Sequence, residues 1–233
     1  MPFAGHPTVG TAHVLAATGE IALTGDETRI VLEEKVGPVP VTIRALDGRP
    51  IFAQLSVAKL PEAGPPPPSR AALARVLSLR EEDLLDGEWS PQPFSCGLPF
   101  LFVGLRDRDA VGRAQIRMDE WQTTLAGQWA PEVFVFTRGG ERPGTDYRAR
   151  MFAPGLRVAE DPATGSACAA FAGYLVARDA RREGALHWTV EQGFEMGRPS
   201  ILEIEAEVRG GKATAVRVGG ATVLMAEGTM DVR

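Results

Sequence analysis

Two stretches of this sequence bring together residue types that could grip a small acid and move a proton on it. The first is Gly5-His6-Pro7-Thr8-Val9-Gly10-Thr11-Ala12 and the second is Glu160-Asp161-Pro162-Ala163-Thr164-Gly165-Ser166-Ala167. With His6 set on Asp161 the two keep a constant separation of 155 residues. Each reads as an ionisable side chain, proline, two further residues, glycine, a hydroxyl residue and alanine. Proline near a helix start and a small, glycine-containing turn leave backbone N–H groups without acceptors. Those groups and the helix dipole favour an anion such as a carboxylate. His6 and Asp161 then stand where they could exchange protons with the held molecule. The competing reading is two ordinary capped helices, with Thr8, Thr11, Ser166 or Asp161 as the capping residue. The repetition, with an ionisable group in equivalent places, favours a site.

Other chemistry-bearing residues lack a supporting pattern. His13 reads as a helix-face residue and His187 as a strand residue, and the three histidines form no HExxH metal motif. Gly165-Ser166-Ala167 is not the GxSxG of a nucleophile elbow, so Ser166 is assigned to anion binding. Cys168 lies near a helix start, where a thiol can be activated. A two-cysteine racemase would need a partner, and the position 155 residues earlier is His13, so buried packing is the better reading of Cys168. The glycines form neither GxGxxG nor a phosphate loop.

The elements that must position these residues can be read from pattern. Thr8–Thr18 is an apolar, alanine-rich helix ended by Gly19. Segments 28–34, 39–45 and 51–57 read as strands, with Asp47-Gly48 as a turn. The four prolines 65–68 make a stiff extended connector. Ser69 caps a helix through Leu79. Further strands are expected at 99–105, 132–137 and 147–152, and a helix at 118–128. The second motif opens a helix through about Arg182, and four strands follow at 186–191, 201–208, 213–218 and 222–227. Strand-rich segments around two long apolar helices indicate an α+β fold. The division into a first lobe, 1–93, and a second, 94–233, is placed at the proline cluster Pro91–Pro99.

Composition sets outer limits. The chain has 233 residues, 44% hydrophobic and 24% charged, with a formal charge of −5. It can bury a core without disulfides, and the acidic balance argues against a nucleic-acid partner. Arg106, Arg108, Arg113 and Arg117 interleave with acids and read as a solvated face. Two cysteines, Cys96 and Cys168, make no disulfide framework and fit a cytoplasmic setting. No apolar run is long enough to cross a bilayer. The start, from Met1 to His6, has no leader pattern.

The two motifs resemble the signatures of the phenazine-biosynthesis isomerase family. Arg150-Met151-Phe152-Ala153-Pro154 and Phe94-Ser95-Cys96-Gly97-Leu98-Pro99 are similar to that family too. The resemblance covers essentially the whole chain. It implies a diaminopimelate-epimerase-like fold: two pseudo-symmetric lobes, each an antiparallel sheet wrapped around a central helix, with the site in the cleft between them. It implies isomerisation or epimerisation of a small carboxylic acid without cofactor or metal, commonly in a homodimer. By motif match, Asp161 and His6 carry over as acid/base or substrate-positioning residues, and Gly5, Gly165 and Ser166 as substrate-binding positions. The family's principal acid/base glutamate precedes the Gly-His signature. That signature begins here at residue 5, so the resemblance implies an incomplete first lobe and no counterpart of the glutamate. Isomerase is therefore the first expectation, and a non-catalytic small-molecule-binding or interaction protein on the same scaffold the second.

Overall fold

A computed structural model describes residues 5–230; the lead-in 1–4, read above for a leader, and residues 231–233 lie outside it. The chain opens with helix α1 (Gly5–Ala17). Gly19, at φ +81°, ends it in the left-handed conformation that glycine adopts at least cost. Strands β1 (Glu27–Glu34), β2 (Gly37–Leu46) and β3 (Arg49–Ser56) form an antiparallel meander. Leu46 pairs with Arg49, so Asp47-Gly48 is a two-residue hairpin turn, with φ of 50° and 71°. That is the Asp-Gly preference of the hairpin turn whose twist matches its strands.

The short β4 (Glu62–Ala63) leads through the prolines to α2 (Arg70–Val76), where the Ser69 hydroxyl accepts the Ala72 N–H as expected. Then come β5 (Gln92–Ser95), β6 (Pro99–Gly104), α3 (Arg108–Arg113), α4 (Met118–Thr124), β7 (Glu132–Arg138), β8 (Tyr147–Ala153) and β9 (Val158–Asp161). Helix α5 (Gly165–Val176) is followed by β10 (Gly184–Gln192), β11 (Ser200–Arg209) and β12 (Lys212–Gly220).

One sheet joins the strands in the order β1-β2-β3-β12-β11-β10-β8-β7-β6-β5-β4, with β9 beside β8. The arrangement is α+β, as expected. It is not wholly antiparallel, because β6–β7 and β8–β10 run parallel. Pairing crosses residue 93 twice, at β3–β12 and β4–β5.

Three cores support the sheet. Ala12 and Ala16 of α1 pack on Val39, Val41, Ile43, Ala53 and Leu55. Helix α5 is the more enclosed: 11 of its 12 residues are buried, and Phe171 and Tyr174 sit among Phe102, Phe134 and Phe136. A third core joins Leu73, Leu77 and Leu84 to Leu101, Val103, Trp121 and Val135, so residues 73–84 pack with the segment beyond 94.

Several local expectations need correction. Segment 222–227 is irregular and exposed rather than a strand, and Val223 and Met225 are bare to solvent. Helix α5 stops at Val176, not Arg182; the Arg178 guanidinium turns back to the Tyr174, Glu88 and Ser90 carbonyls. Helix α2 ends three residues early because Ser78 takes a left-handed φ of 58°. Arg106 and Arg113 belong to more than a solvated face. They converge on the wholly buried Asp83, at 3.2 and 3.1 Å, a charge the sequence pattern did not disclose. Among the described residues no helix is long and apolar enough to cross a membrane.

Candidate functional site

The two motif helices begin against each other. Gly5 and Gly165 are the first residues of α1 and α5, and both are buried. A Cβ on Gly5 would fall 3.1 Å from the Gly165 Cα, and one on Gly165 would fall 3.3 Å from the Gly5 Cα. Backbone meets backbone there, which only glycine permits without displacement. The N–H groups of Gly165, Ser166 and Ala167, in the first turn of α5, lie beyond any intrahelical acceptor, so the positive end of that helix dipole faces the start of α1.

This contact corrects the sequence alignment. The structural equivalents are Gly5 and Gly165, 160 residues apart, rather than His6 and Asp161 at 155. His6 therefore lies within the first turn of α1, whereas Asp161 ends β9, four residues before α5 begins. The counterpart of Cys168 becomes Thr8, still not a cysteine.

His6 is exposed, and its Nδ1 lies 3.1 Å from the Ala163 carbonyl oxygen. A carbonyl only accepts, so Nδ1 carries a proton and donates, which leaves Nε2 pointing away from this bond. His6 thus ties the start of α1 to the turn that precedes α5. Gly5, His6, Ala163 and Gly165 line a cavity of about 550 Å³, closed by apolar residues including Ile201 and Val218. Ser166 faces elsewhere. With Val57, Lys59, Cys96, Leu98 and Ala169 it lines a second cavity, of about 450 Å³. Asp161 is half-buried and is not among the lining residues of either cavity.

Asp161 does not cap α5. Its Oδ2 accepts the Thr164 hydroxyl at 2.5 Å. Thr164 itself occupies the capping position yet makes no side-chain cap bond. Gln192, wholly buried at the end of β10, spans the turn. Its Nε2 donates to the Asp161 carbonyl at 2.6 Å and to Thr164 Oγ1 at 2.9 Å, while its Oε1 accepts the Thr164 N–H at 3.1 Å. Neighbouring Gly193, at φ +80°, approaches so closely that a Cβ would lie 2.7 Å from the Pro162 oxygen. Glu160, beside Asp161, is held apart from this network. The Arg150 guanidinium grips its carboxylate at 2.8 and 2.9 Å and also donates to the carbonyls of Val111, Gly112 and Ala114.

Thr164 and Gln192 escaped the sequence reading. A signal existed: Leu186, Trp188, Val190 and Gln192 share one parity of a strand, so a polar side chain falls on the inward face next to a glycine. The remaining candidates are structural in their surroundings. Cys168 is buried in the α5 core, and burial pushes its thiol up; burial pushes Cys96 up to about 12. Neither is a ready thiolate. His13 is buried, with its pKa lowered by burial, and His187 is exposed on β10. Among the described residues no cluster of three or more His, Cys, Asp or Glu could hold a metal ion.

Comparison with known proteins agrees with this architecture. Residues 1–228 match the family described as phenazine biosynthesis-like protein. That match takes in the chain from its first residue, and so does not bear out the expected missing segment. An uncharacterized isomerase from Mesorhizobium japonicum is 36% identical, covering 100% of this chain and 76% of its own length. Trans-2,3-dihydro-3-hydroxyanthranilate isomerase from Pseudomonas fluorescens is 32% identical over 99% of this chain and 75% of its own. The structure of a phenazine-biosynthesis-family protein from Bacillus anthracis superposes with a TM-score of 0.83 at 20% identity, covering 95% of this chain and 73% of that one; it shows the shared fold. A predicted epimerase from Pseudomonas aeruginosa gives 0.77 at 28% identity, covering 100% and 76%. The paired glycine helix starts, the second motif and these matches agree: this chain belongs to the phenazine biosynthesis-like protein family, whose relatives here carry the names of isomerases and epimerases.

Proposed function

We propose that this chain isomerises a small carboxylic acid by general acid/base proton transfer, without a cofactor, where α1 and α5 meet. The observation that supports this most directly is the backbone contact of Gly5 with Gly165. It brings the first amides of α5 to the start of α1, beside His6 and near Asp161. The amides would hold the carboxylate and take up charge that develops on it when a neighbouring carbon loses its proton. In this reading Gly5 and Gly165 bind the acid, and Ser166, whose side chain lines the second cavity, contributes through its backbone N–H, 3.4 Å from where a Cβ on Gly5 would fall. His6 Nε2 and the Asp161 carboxylate take the proton and return it to the same carbon or to one two positions away. The double bond moves accordingly, and nothing is oxidised or reduced. The name of the Pseudomonas fluorescens relative points to an unsaturated hydroxy amino acid as substrate class. A homodimer and a cytoplasmic location belong to the same proposal.

One observation favours the second reading, a binding protein on this scaffold: Asp161 lines neither of the two cavities at the helix starts. One experiment separates the two. The protein is incubated in deuterium oxide with trans-2,3-dihydro-3-hydroxyanthranilate, and with a panel of related unsaturated hydroxy and amino acids, and each is followed by proton NMR. Enzyme-dependent deuterium uptake at carbon, with product, is expected of the isomerase. Saturable binding without exchange across the panel would overturn it in favour of the binding protein.

A further inference from the structure

We propose that Gln192 and Thr164 form a hydrogen-bonded brace that fixes the Asp161 carboxylate while leaving the first amides of α5 uncapped for a ligand. The proposal rests on the acid/base reading of Asp161 given above, and extends it to two residues that no motif assigns.

The direction of each bond in the brace is determined. The Thr164 N–H can only donate, so the Gln192 atom that meets it at 3.1 Å is the amide oxygen. The other end of the amide is therefore NH₂, and both its protons are used, on the Asp161 carbonyl at 2.6 Å and on Thr164 Oγ1 at 2.9 Å. Thr164 Oγ1 accepts from Gln192 and has one proton left to give, which goes to Asp161 Oδ2 at 2.5 Å. Every polar function of a wholly buried glutamine is thus spent on one four-residue turn. Such a network is fully satisfied and directional, the condition under which buried polar groups impose a single geometry.

The second half of the proposal follows from what Thr164 does not do. A threonine at a helix N-cap ordinarily accepts an N–H from the second or third residue, a contact worth about 1 kcal/mol. Here that oxygen is turned to Gln192 and Asp161, and the cap bond is absent. The helix forgoes local stability at the terminus that meets α1, which leaves its amides for an incoming anion. The close fit of Gly193 on Pro162 presses the end of β10 onto the same turn, so Gln192 has little freedom to move away. Thr164 and Gln192 act through Asp161 and through the amides; they are positioning residues.

The test compares Thr164→Val, Thr164→Ser and Gln192→Glu with the wild-type chain. Crystal structures report where the Asp161 carboxylate lies, and kcat and KM are measured with trans-2,3-dihydro-3-hydroxyanthranilate as probe. In Thr164→Val the carboxylate should leave its present position and kcat should fall about 100-fold, the penalty of a misplaced reacting group. KM should change by less than about threefold or fall, because uncapped amides stay free for the carboxylate. Thr164→Ser keeps the hydroxyl and should recover the carboxylate position and most of kcat. Gln192→Glu, of the same shape, replaces a donor by an acceptor and should reproduce the valine variant even if that one folds poorly. A carboxylate unmoved in both Thr164→Val and Gln192→Glu would overturn the brace, as would a serine variant no better than valine. If wild type turns over neither this probe nor the panel, the isomerase reading fails by itself, and the position of the carboxylate in the variants still decides the brace.

Discussion

The starts of α1 and α5 meet at one point but are held there in different ways. Helix α5 is enclosed on nearly every side, and the turn before it is gripped by a buried glutamine, a threonine and a close-fitting glycine. Helix α1 is covered on one face, its His6 is exposed, and a single side-chain hydrogen bond ties that histidine across to Ala163. In the proposed mechanism Asp161 would therefore be the more firmly tied of the two groups, and His6 the less restrained. The pseudo-symmetry of the backbone is not a symmetry of duties.

The largest effect should come from breaking the contact that both helices share. Valine at Gly5 or at Gly165 puts branched carbons into opposing backbone, and packed interiors do not absorb such volume. Either variant should lose turnover by at least about 100-fold. Equal turnover in either would show that the helix starts do not need to touch.

The next comparison is between the two proposed proton carriers. Asp161→Asn keeps the shape and the acceptance of the Thr164 hydroxyl, but loses the carboxylate. It should cost about 10²–10⁴-fold in turnover and leave thermal melting nearly unchanged. His6→Asn retains a donor toward Ala163 and should cost about tenfold, since the ring is only one of two carriers. If asparagine at 161 is harmless and at 6 is severe, the roles of the two groups are reversed.

The smallest effect concerns the support behind α5. Hydrogen bonding from Arg113, assisted by the Arg80 amide and the charges of Arg113 and Arg106, outweighs burial and holds Asp83 at about 2. An unfolded aspartate titrates near 3.9. The folded form is thus stabilised above about pH 4, and that stabilisation drains away as pH falls from about 4 toward 2. Asp83→Asn should lower stability at neutral pH by about 2 kcal/mol and flatten the acid limb of a melting-temperature profile. An unchanged acid limb would remove Asp83 from that support.

Much of this was legible in the sequence, and the rest failed for particular reasons. Alternating strands and the Asp47-Gly48 turn announce themselves because side-chain parity and positive φ are local constraints. Gly5 and Gly165 are named in the sequence through the family resemblance, and the close backbone approach that leaves no other residue type there is visible only in the fold. The alignment of His6 with Asp161 went astray because Pro-x-x-Gly recurs in both motifs for different purposes, and Gly10 of α1 meets nothing within 4 Å. Asp83 and Gln192 are not legible because their partners lie 23 to 31 residues away, at Arg106, Arg113, Thr164 and Asp161, and Thr164, three residues from Asp161, gains its role only with Gln192 beside it. Such pairings exist only once the chain has folded. Segment 222–227 reads as a strand by its β-rich composition, yet a strand needs a neighbour, and none is offered to it among the described residues.

The meeting of Gly5 with Gly165 also works as a gauge. Its spacing is set by backbone against backbone and contains no rotatable side chain, so no rotamer change alters it. The distance between the two helix starts is thereby decoupled from the walls of the cavities. Under the proposed function, Ile201, Val218, Leu98 or Val57 could vary in size to admit differently shaped acids while the proposed anchor for the carboxylate stays where it is. A scaffold with such a gauge can change what it accepts without relearning how to hold it.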